Sequence, residues 1–209
     1  MALKLNKDKK QLTLSGDVGY PEGFDADEIE DALNELGGDE FNFVIRSDGG
    51  VITEGLSIYN QLRDYPGYIR GHVDVRAHSI ASVIMLGADY LTASENATFL
   101  IHNAWTLAMG SAQELREIAD ALDLAELDIL NAYTEASGKE QAFWKEKIDK
   151  PTTLNATEAK EMGLIHGVKE TPKRKAEPQS LSQIEETLAL VAKSRETQTE
   201  LSQVLAATV

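Results

Sequence analysis

The apolar positions of the first hundred residues follow two alternating periods. Short runs with an apolar residue at every second position predict strands near 12–16, 41–46, 72–77 and 97–101. Between these runs, apolar positions recur every three or four residues and predict helices up to Leu36, around Ile58 to Leu62, and from Ser79 to about Tyr90. Because strands and helices alternate, we predict an α/β fold with a largely parallel sheet.

The pattern of the next seventy residues predicts mainly helices. Ser111 and Glu114 have capping-box spacing and precede a long apolar stripe, which predicts one helix to about Ala136. A stripe of this length indicates packing, either within the chain or against another subunit. A shorter helix is predicted near 141–148, and another begins at an Asn155 cap and stops at Gly163.

The character of the chain changes after residue 170. Residues 171–180 are charged and interrupted by prolines, which is typical of a linker. An apolar stripe at helical spacing then returns from Leu181 onwards. We therefore predict three parts: a domain over 1–170, a linker over 171–180, and an amphipathic helical tail over 181–209 that must bury its stripe on another surface.

Composition narrows the classes of function. The 209 residues carry a net charge of −15, which argues against nucleic-acid binding. The chain has no cysteine, which excludes a disulfide framework, a thiolate zinc site and a cysteine nucleophile. Residues 1–7 lack the apolar run of a signal peptide, and no window approaches the roughly 18 apolar residues of a membrane span. We expect a soluble cytoplasmic protein that does not bind membranes.

Three groups suited to acyl-transfer chemistry stand at the ends of predicted strands. Ser79 lies at the N-terminus of a predicted helix, where unpaired backbone N–H groups favour negative charge. A serine at this position can equally be an ordinary helix cap. His102 ends the strand at 97–101 and is a candidate general base. The Gly49-Gly50 turn could bring backbone N–H groups close to an anion. In a parallel sheet such strand ends meet at one edge.

The other histidines are weaker candidates for catalysis. His72 lies within a predicted strand and His166 lies near the end of the domain, so both are better explained as structural or surface residues. His78 precedes Ser79 directly, and adjacent side chains point in different directions. No pair of histidines has metal-ligand spacing, so no metal site is predicted.

Taken together, these segments resemble the Clp protease proteolytic subunit family, and most closely its phage relatives, the Clp-like head maturation proteases. The resemblance extends over about residues 11–168. It is carried by four segments: Ser47-Asp48-Gly49-Gly50 with Gly55, Ser79-Ile80-Ala81-Ser82, Ile101-His102-Asn103-Ala104-Trp105, and Leu154-Asn155-Ala156-Thr157-Glu158-Ala159 with Gly163-Leu164-Ile165.

The resemblance implies a serine endopeptidase without a cofactor, on a repeated ββα spiral. In this reading Ser79 is the nucleophile, His102 the general base and Asp149 the acid of a catalytic triad. Ser82 is an alternative nucleophile, because Ala81-Ser82 also imitates the Ala-Ser of the family. The backbone N–H groups of Gly50 and Ile80 would form the oxyanion hole, with Gly49 shaping the turn.

The resemblance also implies a ring-shaped homo-oligomer, assembled through the long helix after Ser111. The implied substrates are proteins, such as the capsid or scaffold proteins of a phage head, processed in the host cytoplasm or the assembling head. Only about ten residues precede the first predicted strand, too few for the axial loop that helps this family to engage an unfoldase. We therefore expect activity without a Clp-type ATPase.

Three residues depart from the family pattern and keep two alternatives open. Asp48 replaces proline, Val75 replaces glycine and His78 replaces alanine. If the Asp48 carboxylate points towards the oxyanion hole, its repulsion costs a few kcal/mol. One alternative is therefore a catalytically impaired Clp-like assembly protein. The other is a crotonase-like acyl-CoA enzyme on the related spiral fold, which uses paired N–H groups in a similar role.

Overall fold

The computed structural model describes residues 2–170 and residue 193. Apart from residue 193, the predicted linker and helical tail lie outside the described residues. The elements, in chain order, are β1 Leu3–Asn6, β2 Gln11–Ser15, α1 Ala26–Leu36, β3 Phe41–Ser47, α2 Ile52–Asp64, β4 Ile69–His78, α3 Ala81–Ile84, a 3-10 turn Met85–Gly87, β5 Tyr90–Ser94, β6 Thr98–Ile101, α4 Ala112–Ser137, α5 Gln141–Asp149, β7 Thr152–Asn155, α6 Ala156–Glu161 and β8 Gly167–Lys169.

The sheet is largely parallel, as predicted, and strand β4 is its branch point. The strand order is β1-β2-β3-β4-β5-β8, with only β1 antiparallel to its neighbour along this path. The first half of β4 pairs with β5 through residues 70–73, whereas its last three residues pair with β6 through 76–78. Strand β6 also pairs antiparallel with β7. The prediction of a mixed α/β fold is confirmed.

Local sequence explains where the helices begin and end. Asp25, Ser111 and Asn155 each accept a hydrogen bond from the backbone N–H three residues later. Asp25 thus caps α1, and the predicted caps of α4 and α6 are present. Gly37 and Gly138 end α1 and α4 in the left-handed conformation, which glycine adopts without strain. The core is then formed where alternate apolar positions of the central strands meet the apolar faces of these helices.

Trp144 on α5 joins α4 and α5 to the core. Its side chain is fully buried and lies 5.1 Å from the ring centroid of Tyr133 on α4. Phe143 contacts Trp144 edge-on, and the indole N–H of Trp144 donates to the Ser137 hydroxyl at 2.8 Å. The position of α5, and with it of Asp149 at its last residue, therefore depends on this aromatic contact.

We expect Trp144→Ala to lower the free energy of unfolding by about 3–5 kcal/mol, the usual cost of deleting a buried aromatic side chain. The matched control is Trp105→Ala, because Trp105 is 72% exposed and its loss should change stability by less than about 0.5 kcal/mol. Chemical denaturation with a fluorescence or circular-dichroism readout measures both. Similar losses in the two variants would contradict this assignment of the core.

The structure corrects the prediction of a helix from Ser79 to about Tyr90. Helix α3 and its 3-10 extension end at Gly87, and residues 90–94 form strand β5 beside β4. A Cβ on Gly87 would lie 2.6 Å from Cβ of Leu62, so the chain turns where it meets α2. Strand β1 also corrects the expectation that about ten residues precede the first strand, since Leu3–Asn6 pairs with β2.

The apolar stripe of α4 is buried only near its C-terminal end. Ile129, Leu130, Ala132 and Tyr133 are buried within the protomer. Towards its N-terminus, Leu115 is 42% exposed, and Ile118, Leu122 and Ala125 are only half-buried. The N-terminal half of the stripe is therefore incompletely covered within the described part of the protomer.

Among the described residues, no helix has both the length and the apolar content required to cross a membrane.

Candidate active site

Ser79 occupies the tight turn between β4 and α3. Its φ of 53° lies in the left-handed region that residues with a side chain rarely adopt. Its N–H donates to the Leu100 carbonyl at 2.7 Å, which ties the turn to the end of β6. A strained turn between a strand and a helix is a common way to present a nucleophilic hydroxyl. The position is therefore more specialised than that of an ordinary helix cap.

The Gly49-Gly50 turn packs directly against Ser79. Gly49 has a φ of 96°, and a Cβ there would lie 2.6 Å from Cβ of Ser79 and 3.3 Å from the Ile80 nitrogen. The Gly49 N–H donates to the Ser47 hydroxyl at 3.1 Å. Within the described residues, neither the Gly50 N–H nor the Ile80 N–H has a hydrogen-bond partner. Each of the two segments that meet at Gly49 and Ser79 thus carries one N–H group without a partner, and an oxyanion hole needs two such donors.

Ser82, the alternative nucleophile, is fully buried. Its hydroxyl donates to the Ser79 carbonyl and lies 2.7 Å from the Tyr133 hydroxyl. Burial raises the pKa of Tyr133, which keeps the phenol protonated and able to donate to Ser82. Because both its proton and a lone pair are engaged inside the core, Ser82 is poorly placed to attack a substrate, and this favours Ser79.

His102 lies just beyond the end of β6, beside the turn that holds Ser79. Its Nδ1 is 2.7 Å from the carbonyl oxygen of Asn103, so this nitrogen carries the proton when the ring is neutral. That tautomer leaves Nε2 with a free lone pair, as a general base requires. The Ser79 turn is bonded to Leu100, two residues before His102, and the contact of His102 with Ser79 itself stays a prediction.

The structure does not bring Asp149 to His102. The Asp149 carboxylate accepts a hydrogen bond from the Asn103 side chain at 3.1 Å and forms an ion pair with Lys145. The Lys145 ammonium, followed by the Asn103 amide, holds the pKa of Asp149 below its usual value. Asp149 therefore binds Asn103, the residue next to His102, and not the imidazole that it was predicted to orient. The hydrogen-bond partner of His102 Nδ1 is instead the Asn103 carbonyl.

The Asp48 carboxylate is directed to Arg76 on β4. The two oxygens lie 2.6 and 2.7 Å from Nε and Nη2 of Arg76, and Nδ1 of His78 is 3.3 Å away. The hydrogen bond to Arg76 lowers the pKa of Asp48. The carboxylate that would repel an oxyanion if it pointed towards the oxyanion hole is thus paired with a guanidinium. The third departure from the family pattern, Val75, is 41% exposed on the same strand.

The two histidines predicted to be structural have hydrogen-bond partners in the sheet. His72 lies between the hydroxyls of Thr92 and Ser94, at 3.0 and 3.2 Å. His166 accepts from the Leu91 N–H at 3.0 Å and stacks on Tyr90. No group of three or more histidine or carboxylate side chains suited to a metal ion occurs in the described part of the chain.

We expect the protein to lose stability as the pH falls from 7 to 5. Burial lowers the pKa of both His72 and His78. The unfolded chain therefore binds these protons first, so stability is complete above about pH 6.5 and declines below it. Thermal unfolding should show a lower midpoint at pH 5 than at pH 7, with a smaller difference in His72→Gln, which keeps partners for Thr92 and Ser94. An identical pH dependence in the variant would contradict this.

Comparison with known proteins agrees with the fold. The sequence profile of the Clp protease family matches residues 32–172. The chain is 28% identical over 130 residues to ATP-dependent Clp protease proteolytic subunit 1 of Chlamydia muridarum, covering 60% of this chain and 68% of that protein. The corresponding protein of Protochlamydia amoebophila is also 28% identical over 130 residues, with 60% of this chain and 63% of the relative covered.

Structural similarity extends further along the chain. A ClpP1 mutant from Listeria monocytogenes superposes with a TM-score of 0.70 at 19% sequence identity, covering 79% of this chain and 94% of the other. At this identity the match speaks for the fold alone. Because the family profile covers more than half of the residues, the family assignment is secure: the chain belongs to the Clp protease family.

Proposed function

We propose that this protein is a serine endopeptidase in which Ser79 is the nucleophile, His102 the general base, and the N–H groups of Gly50 and Ile80 the oxyanion hole. The observation that carries the proposal is the contact between the strained Ser79 turn and the Gly49-Gly50 turn. The two contacting segments each carry a backbone N–H group, of Gly50 and of Ile80, that has no hydrogen-bond partner within the described residues. The family of the chain is a protease family.

The chemistry follows from this arrangement. Ser79 Oγ attacks the carbonyl carbon of the scissile peptide while Nε2 of His102 accepts its proton. The N–H groups of Gly50 and Ile80 stabilise the resulting oxyanion. His102 then protonates the departing amine, and a water molecule, deprotonated by the same imidazole, hydrolyses the acyl-enzyme. No cofactor takes part in these steps.

Asp149 is proposed as the acid that orients His102, but only after it exchanges partners. Its carboxylate must leave Lys145 and the Asn103 side chain and accept from Nδ1 of His102, which now faces the Asn103 carbonyl. Until then the Asn103 carbonyl supplies the orientation. A neutral carbonyl stabilises an imidazolium less well than a carboxylate does, so the exchange would raise activity.

The finer assignments rest on other features. The exposed apolar residues of α4, such as Leu124, support self-association into the ring-shaped oligomers of this family. Activity without an ATPase, and phage head or scaffold proteins as substrates, rest on the resemblance to head maturation proteases. The acyl-CoA hypothesis is not carried forward, because the family profile and the relatives are proteases.

The proposal is tested by incubating the assembled full-length protein with an unfolded protein substrate in the absence of ATP. New substrate N-termini should appear, and a fluorophosphonate, but not a metal chelator, should prevent them. An assembled oligomer that cleaves no unfolded substrate would refute peptidase activity. That result would favour the second candidate, a non-catalytic assembly protein, for which the pairing of Asp149 with Lys145 rather than His102 is the supporting observation.

A further inference from the structure

The Asp48 carboxylate connects the two chain segments that carry the proposed oxyanion donors. Gly50 follows Asp48 by two positions on one segment, and Ile80 follows His78 by two positions on the other. Asp48 binds Arg76 through both of its oxygens, at 2.6 and 2.7 Å, and lies 3.3 Å from His78. We therefore expect the distance between the Gly50 and Ile80 N–H groups to depend on the contacts of Asp48 with Arg76 and His78.

The regular pairing of β3 with β4 is interrupted just before the glycine turn. The register between β3 and β4 passes from the pair Ile45 and Val73 to the pair Ser47 and Ala77, so β4 has two more residues than β3 in this stretch. Arg76 lies within the irregular stretch. The other side of the glycine turn is held by Val18, whose N–H donates to the Gly49 carbonyl at 2.8 Å. On the β4 side, the ion pair of Asp48 and Arg76 spans the irregularity.

The same ion pair determines the charge beside the proposed oxyanion hole. An unpaired carboxylate two positions from Gly50 would oppose the negative charge that develops on the substrate oxygen. Arg76 compensates it, through one hydrogen bond from Nη2 at 2.7 Å and an ion-pair contact between Nε and the other carboxylate oxygen. His78 is fixed in turn, because its Nε2 lies 2.9 Å from the Thr98 hydroxyl on β6. Strands β3, β4 and β6 are thus connected around Ser79.

We propose that Asp48 and Arg76 are positioning residues of the peptidase, which set the separation of the Gly50 and Ile80 N–H groups and neutralise the charge beside them. The inference rests on the proposed function. It assigns a role to a residue that replaces the proline usual in this family at position 48. In this chain an ion pair between side chains does what a rigid ring would otherwise do for the turn.

A neighbouring ion pair provides a matched control. Arg70 on β4 binds Glu40, just before β3, at 3.0 Å, with side chains 49% and 58% exposed. The side chains of Arg76 and Asp48 are 41% and 53% exposed. Exposed pairs of this kind contribute little to stability, so their loss should affect folding to a similar small extent. Of these two pairs, that of Asp48 and Arg76 adjoins the site and that of Arg70 and Glu40 does not, so we expect the reaction to respond to the loss of the first pair alone.

The test measures peptide hydrolysis by Asp48→Asn, Arg76→Met, the double variant and Arg70→Met. We expect kcat to fall about 10-fold in Asp48→Asn and about 10- to 100-fold in Arg76→Met, with KM nearly unchanged. The double variant should be faster than Arg76→Met alone, because it removes the uncompensated charge. Arg70→Met should stay within about twofold of wild type. A double variant no faster than Arg76→Met, or equal kcat in Arg76→Met and Arg70→Met, would overturn the inference.

A second measurement needs no activity. The N–H groups of Gly49, Val51 and Ser79 are hydrogen-bonded, so their deuterium exchange reports on the two turns. Exchange there should be faster in Asp48→Asn and Arg76→Met, and unchanged in Arg70→Met. If wild type cleaves no peptide while exchange changes as expected, the proposed function fails and the positioning role stands. If wild type cleaves peptide and all four variants match it in kcat and exchange, the positioning role alone fails.

Discussion

Replacing Ser79 by alanine should lower kcat for peptide hydrolysis by about 10⁴-fold or more. The oxygen that forms the acyl-enzyme is then missing, and only the oxyanion hole and substrate binding remain to accelerate the reaction. The fold should tolerate the change, because alanine is smaller and the turn is held through the backbone N–H of residue 79, which binds Leu100. Steady-state kinetics on a fluorogenic peptide measures the loss.

Ser82→Ala is the matched control, since it also removes one hydroxyl from the same segment. Activity should stay within about tenfold of wild type, because Ser82 supports the Ser79 carbonyl but does not react. Stability should fall by about 1–3 kcal/mol, because the buried Tyr133 hydroxyl loses its partner. If Ser82→Ala loses activity completely while Ser79→Ala keeps it, the nucleophile is Ser82 and the assignment is wrong.

The second large effect is expected for His102→Ala, which should reduce kcat by about 10³- to 10⁴-fold. Without the imidazole, the proposed mechanism loses the group that accepts the Ser79 proton and returns it to the leaving amine. The hydrogen bond from Nδ1 to the Asn103 carbonyl is the structural reason for choosing this histidine, since it presents Nε2 as the basic nitrogen. The same peptide assay measures the loss.

His72→Gln provides the comparison for that variant. His72 lies in the same sheet but binds Thr92 and Ser94 away from Ser79, so its kcat should remain within about threefold of wild type. Equal losses of kcat in the two variants would show that the effect of His102→Ala is structural. A fully active His102→Ala variant would remove the general base from the mechanism.

Features encoded by neighbouring residues were predictable from the sequence. The caps at Asp25, Ser111 and Asn155 and the apolar periods of α1 and α4 place those helices correctly, because cap and helix lie within one or two turns of each other. The location of Ser79 and His102 at strand ends also follows from local pattern. By contrast, the end of α3 depends on the contact of Gly87 with Leu62, twenty-five positions earlier, which no local period reveals.

The side-chain contacts of the site were not predictable, because their partners are distant in sequence. Asp48 meets Arg76 across 28 positions, and Ser82 meets Tyr133 across 51. The pairing of Asp149 with Lys145 is local, at one helical turn, and could have been anticipated from that spacing. That Asp149 does not reach His102 could not have been anticipated, since this depends on where the fold places Asn103 beside α5.

The central claim is that Ser79 is the nucleophile, and locating a covalent adduct tests it most directly. The assembled protein is treated with a fluorophosphonate and digested, and the modified residue is identified by mass spectrometry. We predict a single adduct on Ser79 and none on Ser82. An adduct on Ser82 or another residue, or no adduct on an oligomer that cleaves peptides, would contradict the claim.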